Sequence, residues 1–366
     1  MWARGKVPLK SPIFNLPSTF LAASYRAANK IAHFTKIKMP AFESFPLKDH
    51  PIYLPQQKPI KLHTEPDCYG ASSLISKSIR LPYTPRSFAY WLHGWNSMPL
   101  RHIEVFGLNY DGIYLVARKD EEKFLRNNGK TAYAIGAPFV YTDLFTYNCQ
   151  HQRIPNSMLI MPPHGMSYTT ETWNEKTYVE EIYSVIKDFE YSAVCISPND
   201  IKKGSWVGAF RAMGLPIIEG ANMNDANALL RMRSLFNQFE FVTTNSIGSH
   251  VAYAAYAGAK VSFFGEYQYF DANSLRDDEL YKKHPEILDF VVEHSSEASV
   301  KQRYGSLFYE HPANATLAVD AANSWLGRDC IKSAWSVATL LNWWPHQQGF
   351  NYARKAYRKM KRICGL

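Results

Sequence analysis

The chain has 366 residues and a net charge of +9, and 46% of its residues are hydrophobic and 14% aromatic. A chain of this length exceeds the usual limit of a single core, so we expect two domains, each with a sizeable core. The five cysteines contain no C-x-x-C pair, which argues against a zinc knuckle or a disulfide framework and fits a reducing, cytoplasmic setting.

The positive charge is concentrated at the two ends of the sequence. Residues 1–42 carry +7 and residues 330–366 another +7, with no acid in either segment, which leaves −5 for the rest of the chain. A nucleic-acid enzyme would line its groove with basic residues of the body, so we expect no nucleic acid and instead an anionic membrane surface contacted by the termini. The apolar segment over 20–31 is interrupted by Arg26 and Lys30, and no spanning segment is predicted. We therefore expect a cytoplasmic protein that is peripheral at the inner face of the cell membrane.

The first part of the sequence predicts an arm followed by a small parallel sheet. Residues 1–59 combine a basic N-terminal helix with a Pro-rich arm. In residues 60–145 short apolar runs alternate with a charged helix, which is typical of a doubly wound parallel sheet. The predicted elements are strands over 88–92, 112–116 and 131–135 and a helix over 119–128.

Residues 155–328 predict a second, larger α/β domain. Apolar runs joined by single helices indicate a Rossmann-like sheet, and right-handed crossovers place every carboxyl end at one edge. The predicted strands are 158–162, 192–196, 216–219, 241–244 and 261–264, and the predicted helices are 178–189, 205–213, 225–239 with Asn224 as its cap, and 247–259. Residues 141–156 predict a polar hinge between the two domains. A further helix is predicted over 322–341. The C-terminal segment, residues 329–366, contains the end of that helix and then a basic helix over 348–362.

The turn that follows the strand over 241–244 has the chemistry of an anion site. Ser246 is placed to cap the next helix, whose first free N–H groups carry the positive end of the helix dipole and would hold a donor phosphate. Small residues let this helix lie close on the sheet, and they are Ala252, Ala255 and Ala259. The predicted donor-binding residues of the turn are Ser246, Gly248, Ser249 and His250. Taken alone, an ordinary capped βαβ unit fits the same pattern.

Several common motifs are missing from the sequence. It contains no G-x-G-x-x-G, no G-x-x-x-x-G-K-[ST] and no G-x-S-x-G, which excludes the commonest dinucleotide, P-loop and hydrolase sites. It also contains no Asp-x-Asp, so we expect no cofactor and no required metal. Two facing Rossmann-like domains of this kind typically bind a nucleotide on the second domain and another substrate on the first.

Three segments carry a resemblance to a known family. Residues 90–95 (YWLHGW), residues 136–138 (GAP) and the unit 243–264 follow one another as in GT-B transferases of bacterial surface polymers. The His-Gly after an aromatic strand is similar to that of teichoic-acid glycerophosphotransferases and of capsule and lipopolysaccharide glycosyltransferases. The resemblance implies a GT-B fold, a nucleotide-sugar donor and a glycan or lipid-linked acceptor.

Two residues compete for the role of general base toward the acceptor. His93 follows the strand over 88–92, and an imidazole titrates near working pH, but a histidine hydrogen-bonded at a strand end fits equally well. Asp111 and the glycine after it resemble the Asp-Gly of bacterial sialyltransferases. Alternatively, Asp111 has only a structural role, in a turn that precedes the strand over 112–116.

The remaining candidates follow strands of the second domain. His164 resembles the His of the His-Pro in related transferases and could donate to the donor phosphate or to the leaving group. Glu219 could bind the ribose hydroxyls, or it could be a solvated charge at a strand end, and Asn222 lies in the same loop. We expect an inverting, metal-independent glycosyltransferase that acts on a growing cell-surface glycan. The alternatives are a CDP-polyol phosphotransferase of the same fold and a non-catalytic partner in a capsule assembly complex.

Overall fold

The computed structural model describes residues 52–106, 110, 112–148, 153–165, 173–276 and 278–363. The predicted N-terminal helix, most of the Pro-rich arm and Asp111 therefore lie outside the described residues. Within the described part the protein is an α/β structure with two parallel sheets. No described helix combines the length and apolar character that crossing a bilayer requires.

The first sheet contains the three strands predicted for the first domain. They are β1 (Ala89–Trp91), β2 (Ile113–Val116) and β3 (Thr131–Ala134), and they pair in parallel in the order β1-β2-β3. Trp91 is fully buried at the end of β1, where its ring N–H donates to the carbonyl oxygen of Gly136 across 3.2 Å. This bond fixes the carboxyl edge of the sheet, the edge from which the loop at His93 leaves.

The second sheet contains all five strands predicted for it. They are β4 (Ile154–Ile160), β5 (Tyr191–Ile196), β6 (Ile217–Glu219), β7 (Phe239–Thr244) and β8 (Lys260–Phe263). They pair in parallel in the order β6-β5-β4-β7-β8. The chain moves outward from β4 to β6 and then returns to the other side of β4, so the order reverses between β4 and β7. Ligands of open parallel sheets bind at such a point, outside the carboxyl ends of the strands.

Helices cover both sheets and the C-terminal part of the chain. They are α1 (Ala71–Ser78), α2 (Lys119–Asn127), α3 (Glu175–Val185), α4 (Pro198–Lys203), α5 (Val207–Ala212), α6 (Ala228–Gln238), α7 (Ser249–Tyr256), α8 (Ala272–Leu275), α9 (Glu279–Lys283), α10 (Pro285–Ser295), α11 (Glu297–Tyr304), α12 (Val319–Trp325), α13 (Ala334–Leu340) and α14 (Pro345–Ile363). The small face of α7 is fully buried, and it consists of Ala252 and Ala255, with Ala259 after the helix end.

The single helix predicted over 322–341 is wrong, because the structure has two helices, α12 and α13. The break lies at Gly327, whose φ is +63°. A Cβ atom at this position would lie 1.9 Å from the carbonyl oxygen of Ala117. The close approach of the two backbones requires a glycine there, and a left-handed residue ends an α-helix.

Two further predictions are wrong in detail. Part of the segment predicted as a polar hinge belongs to the 3-10 helix Pro138–Asn148, because Tyr141 is buried there and its hydroxyl donates to the carbonyl oxygen of Ile135 at 2.6 Å. Asn224 does not cap α6, since the cap position is Asn227. The carboxylate of Asp225 accepts the N–H of Asn227 at 2.9 Å and shifts the helix start by three residues.

The C-terminal helices return to the first sheet. The N–H of Phe88 donates to the carbonyl oxygen of Leu341 at 3.0 Å, just before β1. The ring N–H of Trp343 donates to the hydroxyl of Ser87 at 3.1 Å, and both side chains are buried. The approach to α14 is therefore anchored on the first sheet.

Candidate active site

The loop after β4 carries His164 at the point where the strand order reverses. The next residue, Gly165, donates its N–H to both carboxylate oxygens of Asp200, at 3.0 and 3.1 Å. Asp200 is itself buried and accepts the hydroxyl of Ser197 at 2.6 Å. This buried acid fixes the loop and leaves the His164 side chain exposed at the carboxyl edge.

The turn between β7 and α7 differs from its prediction. Ser246 does not cap the helix, because α7 begins at Ser249 and its cap position is Gly248, in extended backbone. Ser246 is buried, and its N–H donates to the hydroxyl of Thr244 at 3.3 Å. This bond keeps the chain in a turn beyond Ser246, so the helix starts later than the sequence pattern indicates. The free N–H groups of the first turn consequently belong to Ser249 and His250, since the N–H of Val251 donates to the carbonyl oxygen of Gly248 at 3.1 Å.

His250 is a structural residue of this turn. Its Nε2 atom shares a hydrogen bond of 3.0 Å with the hydroxyl of Thr244. Burial, and second the nearby His164, lower the pKa of His250 to about 3. A Cβ atom at Gly248 would lie 2.8 Å from Nδ1 of His250. Gly248 therefore makes room for this ring, whereas the sequence suggested that it makes room for a phosphate.

We expect the stability of the protein to depend on His250 at mildly acidic pH. The pKa of His250 in the folded protein, about 3, lies below the ordinary value of 6.5. Below pH 6.5 the unfolded chain therefore binds a proton that the folded protein does not bind. The stability that is fully present above pH 6.5 is lost as the pH falls. Between pH 6.5 and 5 the loss should reach about 2 kcal/mol in the free energy of unfolding. Urea unfolding at both pH values should show this loss in the wild type and not in His250→Gln. The same pH dependence in both proteins would contradict the assignment.

His93 forms a hydrogen-bonded pair with Glu65 at the carboxyl edge of the first sheet. The Nδ1 atom of His93 contacts a carboxylate oxygen of Glu65. An ionised carboxylate only accepts hydrogen bonds, so Nδ1 is the donor and the neutral ring has its free lone pair on Nε2. The ring centroid of Tyr69 lies 5.2 Å from that of His93, and the hydroxyl of Tyr253 donates to the His93 carbonyl oxygen at 2.9 Å. Glu65 and Tyr69 thus contact the imidazole itself, and Tyr253 holds the His93 backbone.

The loop at His93 contacts the first turn of α7. The N–H of Trp95 donates to the hydroxyl oxygen of Ser249 at 2.9 Å. A Cβ atom at Gly94 would lie 2.9 Å from the same oxygen. The carboxyl edges of the two sheets therefore meet at this point, and the structure brings His93 and Ser249 into one region.

The loop after β6 reaches the same region from another side. The side-chain oxygen of Asn222 accepts the N–H of Asn224 at 3.0 Å and closes a turn. The carbonyl oxygen of the intervening Met223 accepts the N–H of Tyr69 at 2.8 Å, beside His93. Glu219 is exposed at the end of β6, the edge strand, and β5 separates it from β4.

Two residues of the region were not among the sequence candidates. Glu65 follows Thr64 in a helix-start pattern with Pro66, but this pattern does not reveal its contact with a histidine 28 residues away. Asn245 is fully buried at the end of β7, and its side-chain oxygen has no hydrogen-bond partner among the described residues. A buried acceptor without a partner is costly, and an N–H or O–H group of a ligand would satisfy it.

The comparisons with known proteins add little to this geometry. No family model matches the chain, and no curated protein matches it. One solved structure that aligns with it is the pneumococcal O-GlcNAc transferase GtfA in complex with UDP and GlcNAc, at 11% identity and a TM-score of 0.33. The alignment covers 69% of this chain and 51% of the other, so the chain spans about half the length of that transferase. A TM-score this low establishes neither a common fold nor a common activity.

Proposed function

We propose that the protein is a GT-B glycosyltransferase that moves a sugar from a nucleotide-sugar donor to a glycan or lipid-linked acceptor of a cell-surface polymer. The observation that carries the proposal is the His93–Glu65 pair at the carboxyl edge of one sheet, in a loop whose Trp95 N–H donates to Ser249 in the first turn of α7 on the other. A base held by a carboxylate next to a site for an anion is what a single displacement from a sugar phosphate needs.

The residues divide the reaction between them. Nε2 of His93 takes the proton of the acceptor hydroxyl, and the acceptor oxygen forms a bond to the anomeric carbon. The bond from that carbon to the donor phosphate breaks on the opposite face, which inverts the configuration. The N–H groups at the start of α7 and the exposed His164 stabilise the departing phosphate, so that no metal is required. We assign Asn245 at the end of β7, Asn222 in the loop after β6 and Glu219 on the edge strand to the nucleotide part of the donor.

Release of nucleoside phosphate from a panel of CDP-, CMP-, UDP- and GDP-linked sugars and polyols tests the function. We expect an acceptor-dependent rate with one nucleotide sugar. Turnover of a CDP-polyol alone would favour the phosphotransferase, which would use the same base. If no donor releases a nucleoside phosphate, both the glycosyltransferase and the phosphotransferase are contradicted. The result would then favour a non-catalytic partner in a capsule assembly complex.

We propose further that α14 holds the enzyme at an anionic membrane. One side of this helix faces the body, where the ring of Tyr352 meets that of Phe88 at 5.4 Å. Three apolar or aromatic side chains of the same helix, Phe350, Tyr357 and Met360, are each at least 60% exposed. Residues 352–362 also carry six positive charges. An amphipathic basic helix with exposed aromatic residues is typical of an interfacial membrane anchor.

The double variant Phe350→Ser, Tyr357→Ser should bind anionic vesicles about tenfold or more weakly, since burial of each aromatic side chain contributes roughly 1.5–3 kcal/mol. Co-sedimentation with anionic and neutral vesicles measures this. Tyr83→Ser is the matched control, because Tyr83 is 71% exposed outside the helix. Equal binding to neutral vesicles, or an equal loss in the control, would contradict the anchor.

A further inference from the structure

A buried cysteine lies beside the His93–Glu65 pair. A carboxylate oxygen of Glu65, the sulfur of Cys68 and a ring nitrogen of His93 all lie within 4.8 Å of one another. Cys68 is a free cysteine with 5% of its surface exposed. The side chains of His93 and Glu65 retain 20% and 12% exposure, so the cluster can be reached from solvent.

A backbone kink positions the cysteine in this cluster. The 3-10 helix Glu65–Gly70 is interrupted at Cys68, with ψ of 132°, and at Tyr69, with φ of +56°. A left-handed conformation costs a non-glycine residue about 1–2 kcal/mol, so neighbouring contacts must hold it. The bond from the Tyr69 N–H to Met223 does so, and Gly70 lies directly against the backbone of Ala226. The kinked segment is therefore held with Cys68 and Glu65 facing the same imidazole.

We propose that Glu65, Cys68 and His93 form a binding site for a divalent transition-metal ion, best suited to Zn²⁺. Zinc binds thiolate, imidazole and carboxylate together, and three protein ligands leave the fourth tetrahedral position open. The thiol disfavours Ca²⁺ and Mg²⁺, which take oxygen ligands. Zinc–ligand bonds of about 2.0–2.3 Å place ligand atoms roughly 3.5 Å apart, so small side-chain rotations would close the site.

Zinc at this position changes what His93 can do. Nδ1 gives up its bond to Glu65 and coordinates the metal, so the neutral ring carries its proton on Nε2 and donates there instead of accepting. The thiol of Cys68 releases one proton to solvent and binds as thiolate. The ion therefore removes the general base and inhibits transfer. This consequence rests on the proposed function, whereas the metal site does not.

Titration of the metal-free full-length protein with Co²⁺ and with Zn²⁺ tests the site. We expect one ion per chain and a sulfur-to-cobalt charge-transfer absorption. Cys68→Ser should lose that absorption and bind Zn²⁺ at least about 100-fold more weakly. Such a loss is larger than that caused by replacing a residue that contacts only the metal ligands and not the metal. Glu65→Gln should keep the absorption and also bind more weakly. Cys195→Ser is the matched control, since Cys195 is likewise a buried free cysteine.

A cobalt spectrum without the sulfur absorption, or wild-type affinity in Cys68→Ser, would overturn the site. So would an equal loss in Cys195→Ser. Zinc should inhibit turnover of the wild type but not that of Cys68→Ser. Metal binding through Cys68 in a protein that turns over no nucleotide sugar would support the metal site and contradict the transferase.

Discussion

Replacement of His93 by alanine should lower turnover by about 10²- to 10⁴-fold and leave donor affinity almost unchanged. The imidazole is held by Glu65, and the N–H groups proposed to bind the donor phosphate belong to α7, so the loss of the ring should remove proton transfer and leave those groups in place. A histidine with only a structural role would instead lower the melting temperature first. Turnover, donor affinity and melting temperature should be measured together, with a chelator present.

Asp111→Ala is the matched comparison, because Asp111 is the competing base. β2 begins at Ile113, and in the parallel pair Ala89 lies opposite Ile113, so this end of β2 is at the edge of the sheet away from His93. We therefore expect Asp111→Ala to keep near-normal turnover. Near-normal turnover in His93→Ala together with its loss in Asp111→Ala would transfer the role of base to Asp111.

Replacement of Gly70 by alanine should destabilise the fold by about 2–5 kcal/mol. A Cβ atom there would lie 2.3 Å from the carbonyl oxygen of Ala226, and the φ of Gly70 is +78°. The conformation alone costs an alanine about 1–2 kcal/mol, and overpacking against a fixed backbone adds about 1–3 kcal/mol. Because Gly70 packs the 3-10 helix Glu65–Gly70 against Ala226, and this helix contains Glu65, the variant should also lose turnover.

Gly129→Ala separates these two causes. Gly129 has a similar φ of +74° but no atom within 4 Å of its added Cβ. Denaturant unfolding should therefore show a loss of only about 1–2 kcal/mol for this control. Equal losses in the two variants would mean that the segment around Gly70 is not packed against Ala226.

The strands could be predicted from the sequence because of how parallel sheets are buried. Strands covered on both faces are continuous apolar runs, such as β5, and such runs stand out between polar loops. Elements set by contacts between distant residues could not be predicted. The break at Gly327 depends on the backbone of Ala117, and the start of α6 depends on Asp225.

The candidate site could be predicted in part for the same reason. The rule that carboxyl ends of parallel strands share an edge predicted that His93, His164 and the turn before α7 lie at such edges. It could not identify Glu65 as the partner of His93, since this pairing requires the folded chain. The role of Gly248 was also missed, because the sequence does not show that the ring of His250 folds back over it.

The proposed function requires that the region between the two sheets binds a nucleotide sugar. Thermal unfolding against CMP-, CDP-, UDP- and GDP-sugars tests it most directly, because binding stabilises the fold without any knowledge of the acceptor. A donor present at 100 times its dissociation constant should stabilise the protein by about 2.7 kcal/mol, and one class of nucleotide sugar should raise the melting temperature accordingly. A melting temperature that no member of the panel raises would contradict the proposed function.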